Sequence, residues 1–297
     1  MRALLPPSVL LLSTVACLDP ATGSSPPDVE VWIADQGAGE LIVWRSADPG
    51  GVDVVADAAR LGDGFAPSAV AVEGGDLLVA DFGTGSLTEL SADGVVLGRT
   101  QVDAGQAVRL EEPCAVAVAG EHLLVLANDS RNLVELTRSG RVVRELGAER
   151  PLRSAHGFDR LGEDVVIVAS SPTTPDAGLL GIWDLATGER FADLAIWPAL
   201  EEATDVLTLG DGTVAVADWW TGRVTRWDPW TGEALGLLAE GLPHPVALDR
   251  GPDGAVWVLA DDGVWRIGDE GEALMAPLSL RWPRNLAVTP AGASPPR

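Results

Sequence analysis

Apolar residues in this chain come in short runs separated by Gly, Asp, Ser and Pro, rather than at the three-and-four spacing of an amphipathic helix. Residues 66–99, APSAVAVEGGDLLVADFGTGSLTELSADGVVLGR, show the pattern most plainly. An apolar run (SAVAV) leads through a Gly-rich turn to a second run (LLVAD). The polar loop FGTG, a third run (SLTEL), the turn SADG and a fourth run (VVLGR) follow. The bounding residues supply positive φ or close turns with their side chains, so the stretch predicts a four-stranded antiparallel meander.

Diluted copies of this unit begin at Pro67, Pro113, Ala155, Thr204, Pro243 and Pro283. Intervals of roughly 40 to 50 residues are the period of propeller blades, longer than that of most parallel solenoids. The two ends of the chain complement each other. Residues 29–56 hold the second, third and fourth runs of a unit with no first, and the C-terminal WPRNLAVTPAG supplies a first run with nothing after it. Joined, they complete one blade. The expectation is an all-β, six-bladed β-propeller of four-stranded antiparallel blades over residues 29–290. Pairing of the C-terminal strand with the N-terminal blade closes the ring and removes exposed sheet edges. Residues 291–297 read as a disordered tail.

The N-terminus changes the picture of where such a ring works. Met1, Arg2 and the apolar stretch Ala3 to Ala16 fit a secretory signal of residues 1–16. Thr14-Val15-Ala16-Cys17 resembles the lipobox of bacterial lipoproteins, which implies a diacylated Cys17 as the new N-terminus, and residues 17–28 read as a flexible tether. The expected location is the cell envelope, on the periplasmic face or outer surface of a bacterial membrane. No later stretch reaches the roughly 20 apolar residues of a spanning helix, so lipid would be the only membrane attachment. Cys114 is the one other cysteine, so a lipidated chain has no internal disulfide and rests on its core, for which 46% hydrophobic content suffices. The net charge of −24, with basic residues that are all Arg, argues against nucleic acid and anionic lipid as partners. Many of the Asp residues sit in turns, where they also serve solubility. A monomer that meets a small molecule, a glycan or a protein at one face is expected.

The Pro that opens four of the six units (Pro67, Pro113, Pro243, Pro283), the Gly-bearing turns (Gly75, Gly212, Gly254), the VAD endings at Asp35, Asp81 and Asp218, and the WDLATGE and WDPWTGE hairpins together resemble NHL-repeat propellers. They are similar also to the related streptogramin-lyase and gluconolactonase-like propellers. The resemblance covers residues 29 to 290. It implies the fold and leaves activity open, because such propellers include enzymes, sensors and scaffolds.

In propellers of this kind the lead-in to each inner strand and the loop between second and third strands meet at one mouth of the central channel, the top. Blade by blade, the residues just after the lead-in positions are Arg284, Ser68, Cys114, His156, Asp205 and His244. His156, Asp205 and His244 fall in consecutive blades and form a candidate metal or acid/base set; two imidazoles and a carboxylate can ligate a divalent ion and leave a position for water. The resemblance to gluconolactonase-like enzymes implies that Asp205 matches a metal-binding Asp and that His156 stands where an Asn is usual. Arg284 replaces a Glu ligand; it would repel a metal, yet it can orient an anionic substrate. Streptogramin lyases use a His with magnesium, and His244 is the nearest match. The competing expectation is that these side chains simply fill and hydrogen-bond a polar channel mouth.

Top-face loops carry Phe82 and the adjacent Trp219 and Trp220, with the longest loop running from Ser170 to Gly178. Neighbouring tryptophans cannot both enter one blade core, so at least one is expected outside it. They either form a platform for sugars, cations or peptide side chains or wedge between blades. Trp44, Trp183, Trp227, Trp230, Trp257 and Trp265 read as core or blade-surface packing. Asp35, Asp81 and Asp218 read as structural acceptors for backbone N–H groups of the loop that follows, with Ala260 at this place in blade six and Asp261 next to it. Cys114 reads as a small buried residue, and His122 lies in a bottom turn. No Ser-His-Asp motif, phosphate loop, CxxC pair or EF-hand loop occurs. Two functions remain: a binding or scaffold module with its ligand at the top-face mouth and no cofactor, or a metal-dependent hydrolase or lyase of the lactonase or streptogramin-lyase type.

Overall fold

The computed structural model describes residues 27–102, 108, 110–127, 132–147, 152, 154–170, 180–194, 200–268 and 271–292. Cys17, nearly all of the tether, the loop beyond Ser170 and the last five residues, 293–297, lie outside them. Among the described residues, six four-stranded antiparallel sheets follow one another around a ring. The innermost strands are Pro283–Pro290, Pro67–Glu73, Pro113–Ala119, Ala155–Arg160, Ala203–Thr208 and Ala247–Arg250, for blades one to six.

Blade one is assembled from both ends of the chain. Pro283–Pro290 pairs with Val29–Asp35, which pairs with Glu40–Arg45 and then Asp48–Asp57. The register sets Leu286 opposite Ile33 and Ala287 opposite Trp32. The tie is driven by burial, since Leu286, Ala287 and Val288 would stay in water if the strand were detached, at about 1.5–3 kcal/mol for each large side chain.

Second strands read as unbroken apolar runs because each blade is packed on both sides. Val214–Asp218 and Val256–Ala260 are buried at every position. The cores are therefore clusters between blades. One unites Trp32 and Leu41 of blade one with Val70 and Val79 of blade two. Another joins Trp44 and Val31 of blade one to Trp257 and Leu259 of blade six, with the two indoles 6.3 Å apart at 50°. Trp183 and Trp227 are buried, Trp265 is half-buried, and Trp230 stands 61% exposed on a bottom hairpin. A single helical turn, Ala58–Leu61, follows the outer strand of blade one, capped by Asp57, whose carboxylate accepts from the Arg60 N–H at 3.0 Å.

The top corner of each blade, where its second strand ends beside the lead-in to its first, is built in two ways. In blades one, two and five the second strand ends in Asp. Asp35 accepts from the N–H groups of Arg281 and Trp282, both at 2.9 Å, and from Ala38 at 3.3 Å. Asp81 accepts from Ala66 at 2.9 Å and from Gly83 at 3.0 Å. Asp218, wholly buried, accepts from Glu201 at 2.8 Å, Glu202 at 3.1 Å and Thr221 at 3.4 Å. Each carboxylate thus holds the following loop, as the sequence suggested, and also the lead-in to the inner strand. Blades three, four and six end this strand in Ala127, Ser170 and Ala260. In those blades a residue of the lead-in to the inner strand is left-handed: Glu112 at φ 54° and Ser154 at φ 51°, each just before its strand, and His244 at φ 50°, three residues before Ala247. Among the described residues these are the only non-glycine positions with positive φ.

Candidate functional site

Five of the six inner strands open with an irregularity that turns one side chain out of the ladder. The register slips between Pro67 and Ala69, between Pro113 and Ala115, between Ala155 and Gly157, and between Ala203 and Asp205. In blade one the slip leaves Arg284 between the paired Pro283 and Asn285. The residues turned out are therefore Ser68, Cys114, His156, Thr204 and Arg284, each at a β-bulge. In blade six Ala247 faces Leu259 as Ala69 faces Ala80, which gives the corresponding place to Val246.

Three of these residues act as rivets. Ser68 donates through Oγ to the carbonyl of Pro113 in the next blade and to that of Ala80 in its own, the latter at 3.2 Å. The Cys114 thiol reaches Ala155 O and Leu126 O, both at 3.5 Å. Thr204 Oγ1 donates to Pro245 O at 2.8 Å and to Ala217 O at 3.5 Å. The pattern corrects the sequence reading at two blades. The turned-out residue of blade five is Thr204 and not Asp205, and in blade six the place answering to Pro67 and Pro113 falls at Pro245 and not Pro243, which leaves His244 in the lead-in, three residues before the inner strand Ala247–Arg250.

Asp205 consequently points into the channel below the mouth. Its carboxylate accepts from the Leu248 N–H of blade six at 2.8 Å and from Val206 at 2.9 Å. Gly157 of blade four lies so close that a Cβ there would sit 1.9 Å from Asp205 Oδ1, so this approach requires glycine. Neighbouring inner strands are stitched in the same way: Asp159 accepts from Thr208 N–H and Asp249 from Val288 N–H, both at 2.6 Å, and Asn285 accepts from Val70 N–H at 3.0 Å. Burial, together with the neighbouring Asp159 and Asp249, pushes the Asp205 carboxyl up to about 8; burial likewise pushes Asp249 up to about 6 and raises Asp159.

His156, Asp205 and His244 are thus not brought to one point. His156 stands at the mouth, Asp205 is tied to backbone within the channel, and His244 lies on the rim, its ring stacked on Trp219 at 4.1 Å and its Nδ1 2.7 Å from Asp261 Oδ2. Among the described residues no group of three or more His, Cys, Asp and Glu side chains is placed to hold a metal ion. Burial pushes the Cys114 thiol up to about 12, and the thiolate is the reactive form.

The mouth does enclose a pocket of about 410 Å³. His156 and Arg284, the two long side chains among the turned-out residues, belong to blades four and one respectively, on opposite sides of the ring. The wall is aromatic: Phe82, Trp219, Trp220 and Trp282 line it, with Trp220 61% and Trp282 59% exposed and Trp219 meeting Trp220 edge-on at 4.5 Å. Burial, and then the charge of Arg284, pushes the His156 imidazole down to about 4, so it is neutral at pH 7. Arg284 donates through Nε to Gln36 Oε1 at 2.9 Å, and its guanidinium lies 5.1 Å from the Trp282 ring centre. Sequence reasoning found Phe82, Trp219, Trp220, His156 and Arg284 and missed Glu202, Asp261 and Trp282. Position could have found these three, since Asp261 follows the end of a second strand as Phe82 and Trp219 do, while Glu202 and Trp282 immediately precede inner strands.

Fold and mouth together define a six-bladed β-propeller with an aromatic-walled pocket over its channel. Among solved structures the chain is similar to a chain of the nidogen/laminin complex, with a TM-score of 0.68 and 12% identity over 88% of this chain and 98% of that one. It is similar too to a protein of unknown function from Bacteroides caccae, with a TM-score of 0.60 and 12% identity over 89% of this chain and 99% of that one. At these identities the likeness is one of fold. No protein-family model matches the chain, and no curated protein matches it in sequence.

Proposed function

We propose that the protein is an exported, lipid-anchored binding module that holds its ligand in the top-face pocket without transforming it. The observation that carries this reading is the pocket itself: about 410 Å³, aromatic on several sides, with Arg284, His156, Glu202, Thr204 and Asp261 as polar groups among the rings, the mixed composition of a recognition site. The groups with chemical potential are otherwise engaged. Asp205 holds backbone, the Cys114 thiol is a rivet, and the His244–Asp261 pair supports Trp219. Hydrolysis or lysis assisted by a metal would call for donors that converge, which His156, Asp205 and His244 do not.

Trp230 supplies a control for the experiment, being as exposed as Trp220 but on the bottom face. A panel of small acids, sugars and amines titrated by calorimetry is expected to yield a 1:1 binder that Trp220→Ala weakens at least tenfold and Trp230→Ala leaves alone. Equal responses of the two variants would overturn the reading. Export and anchoring rest on the lipobox-like Thr14–Cys17. Cys17→Ala is expected to move the protein from the membrane to the soluble fraction with its thermal unfolding unchanged, because acyl burial at about 0.8 kcal/mol per CH₂ supplies the attachment. Retention on the membrane would refute the anchor.

A further inference from the structure

Resting on the binding reading above, we propose that the pocket takes a compact organic carboxylate with a flat apolar body, its carboxylate received by Arg284.

Arg284 stands where three other blades use a small Ser, Cys or Thr to rivet the ring, so its long side chain is not required by that architecture. It is half-buried, and burial holds its guanidinium below the usual arginine range. Yet among the described residues no carboxylate pairs with it. Its one hydrogen bond goes from Nε to Gln36, a neutral amide, and its plane is steadied by Trp282. The acidic side chain whose charge it feels is Glu112, which lies outside the pocket lining. Both terminal amino groups remain as a fork, the geometry that matches the two oxygens of a carboxylate.

Glu202, Thr204, His156 and Asp261 also line the pocket, so a ligand carboxylate must seat on the Arg284 side, away from the two acidic side chains. His156, across the mouth, is neutral at pH 7, and Asp261 is engaged by His244. Much of the apolar wall is made of the rings of Phe82, Trp219, Trp220 and Trp282, whose flat faces suit a planar body. The net charge of −24 opposes any anion at long range, but at physiological salt such repulsion is screened over about 8 Å, so contact with Arg284 decides the preference. A partly desolvated cation that no carboxylate contacts among the described residues gains most from an anion that also excludes water.

The test uses three probes of one shape and three charges, 2-naphthoate, 2-naphthamide and 2-naphthylmethylammonium, titrated by calorimetry into the full chain at physiological salt. Naphthoate is expected to bind at least tenfold more tightly than the amide. Arg284→Gln should erase that difference while the amide binds as before, and Trp220→Ala should weaken both. The unfolding temperature of Arg284→Gln, measured alongside, shows that the ring is intact. Equal binding of naphthoate and naphthamide, or preference for the ammonium, with Trp220 still required, would overturn the carboxylate assignment and leave the binding module standing. Binding indifferent to Trp220→Ala would remove the pocket reading itself, and absence of binding by all three probes at millimolar concentration would overturn the inference.

Discussion

The top corners of blades one, two and five and those of blades three, four and six solve one problem differently. In each, the chain must turn from the lead-in into the inner strand beside the end of the second strand. Where that strand ends in Asp35, Asp81 or Asp218, a carboxylate gathers the stray N–H groups and the lead-in backbone keeps ordinary angles. Where it ends in Ala127, Ser170 or Ala260, the backbone itself bends left-handed at Glu112, Ser154 or His244. Acidic residues near a channel mouth can thus be fold devices, and strain can lie at a binding site for architectural reasons. His244, on the pocket rim, takes its left-handed conformation in a blade whose second strand ends in Ala260 rather than Asp.

The largest expected effect breaks a clamped corner. Asp218→Ala strands the N–H groups of Glu201, Glu202 and Thr221 around a buried space and should cost about 2–4 kcal/mol in denaturant unfolding, with Asp218→Asn, which keeps one acceptor, costing less. A loss below ~1 kcal/mol for the alanine variant would show that the corner does not depend on its carboxylate.

A second effect separates this kind of carboxylate from those in the channel, which also hold backbone but stand close to one another. Asp205 is pushed up to about 8, against an unfolded value of about 3.9. The native state therefore binds the extra proton between these values. That contribution to stability is full below about pH 4 and is lost as pH rises through about 8. Asp249, pushed up to about 6, and Asp159, also raised, act in the same direction. The unfolding temperature should accordingly fall by several degrees from pH 5 to pH 8.5, and Asp205→Asn should flatten part of that slope. An unchanged slope in the variant would assign the dependence to the general acidic charge.

The smallest effect probes an unclamped corner. Glu112→Gly removes the cost of a left-handed side-chain-bearing residue and should stabilise by up to ~1 kcal/mol, whereas Ala66→Gly, at a clamped corner with ordinary φ, should destabilise by a similar amount. Equal responses would erase the distinction between the two corners.

The repeat of Pro, apolar run, Gly turn and VAD ending carried the blade count, the four strands per blade and the closure through Pro283–Pro290. These depend on local periodicity and on which runs lack a partner, both of which are written in a single chain. The structural role of Asp35, Asp81 and Asp218 was legible for the same reason, since a carboxylate next to a tight loop finds its N–H groups locally. Register at the mouth was not. Pro243 and Pro245 both offer themselves as the start of blade six, and Thr204 and Asp205 both suit the turned-out place of blade five. A slip of one residue sends a side chain to the opposite face. Only packed neighbours settle which is used: Thr204 is fixed by the Pro245 carbonyl of the next blade, and Asp205 by the Leu248 N–H and by Gly157 on its other side. The apparent metal set dissolved on that slip, and the pocket of Arg284, His156 and the tryptophans took its place because it is assembled from blades far apart in sequence. Local pattern determined the blades; contacts between blades decided what faces the channel mouth.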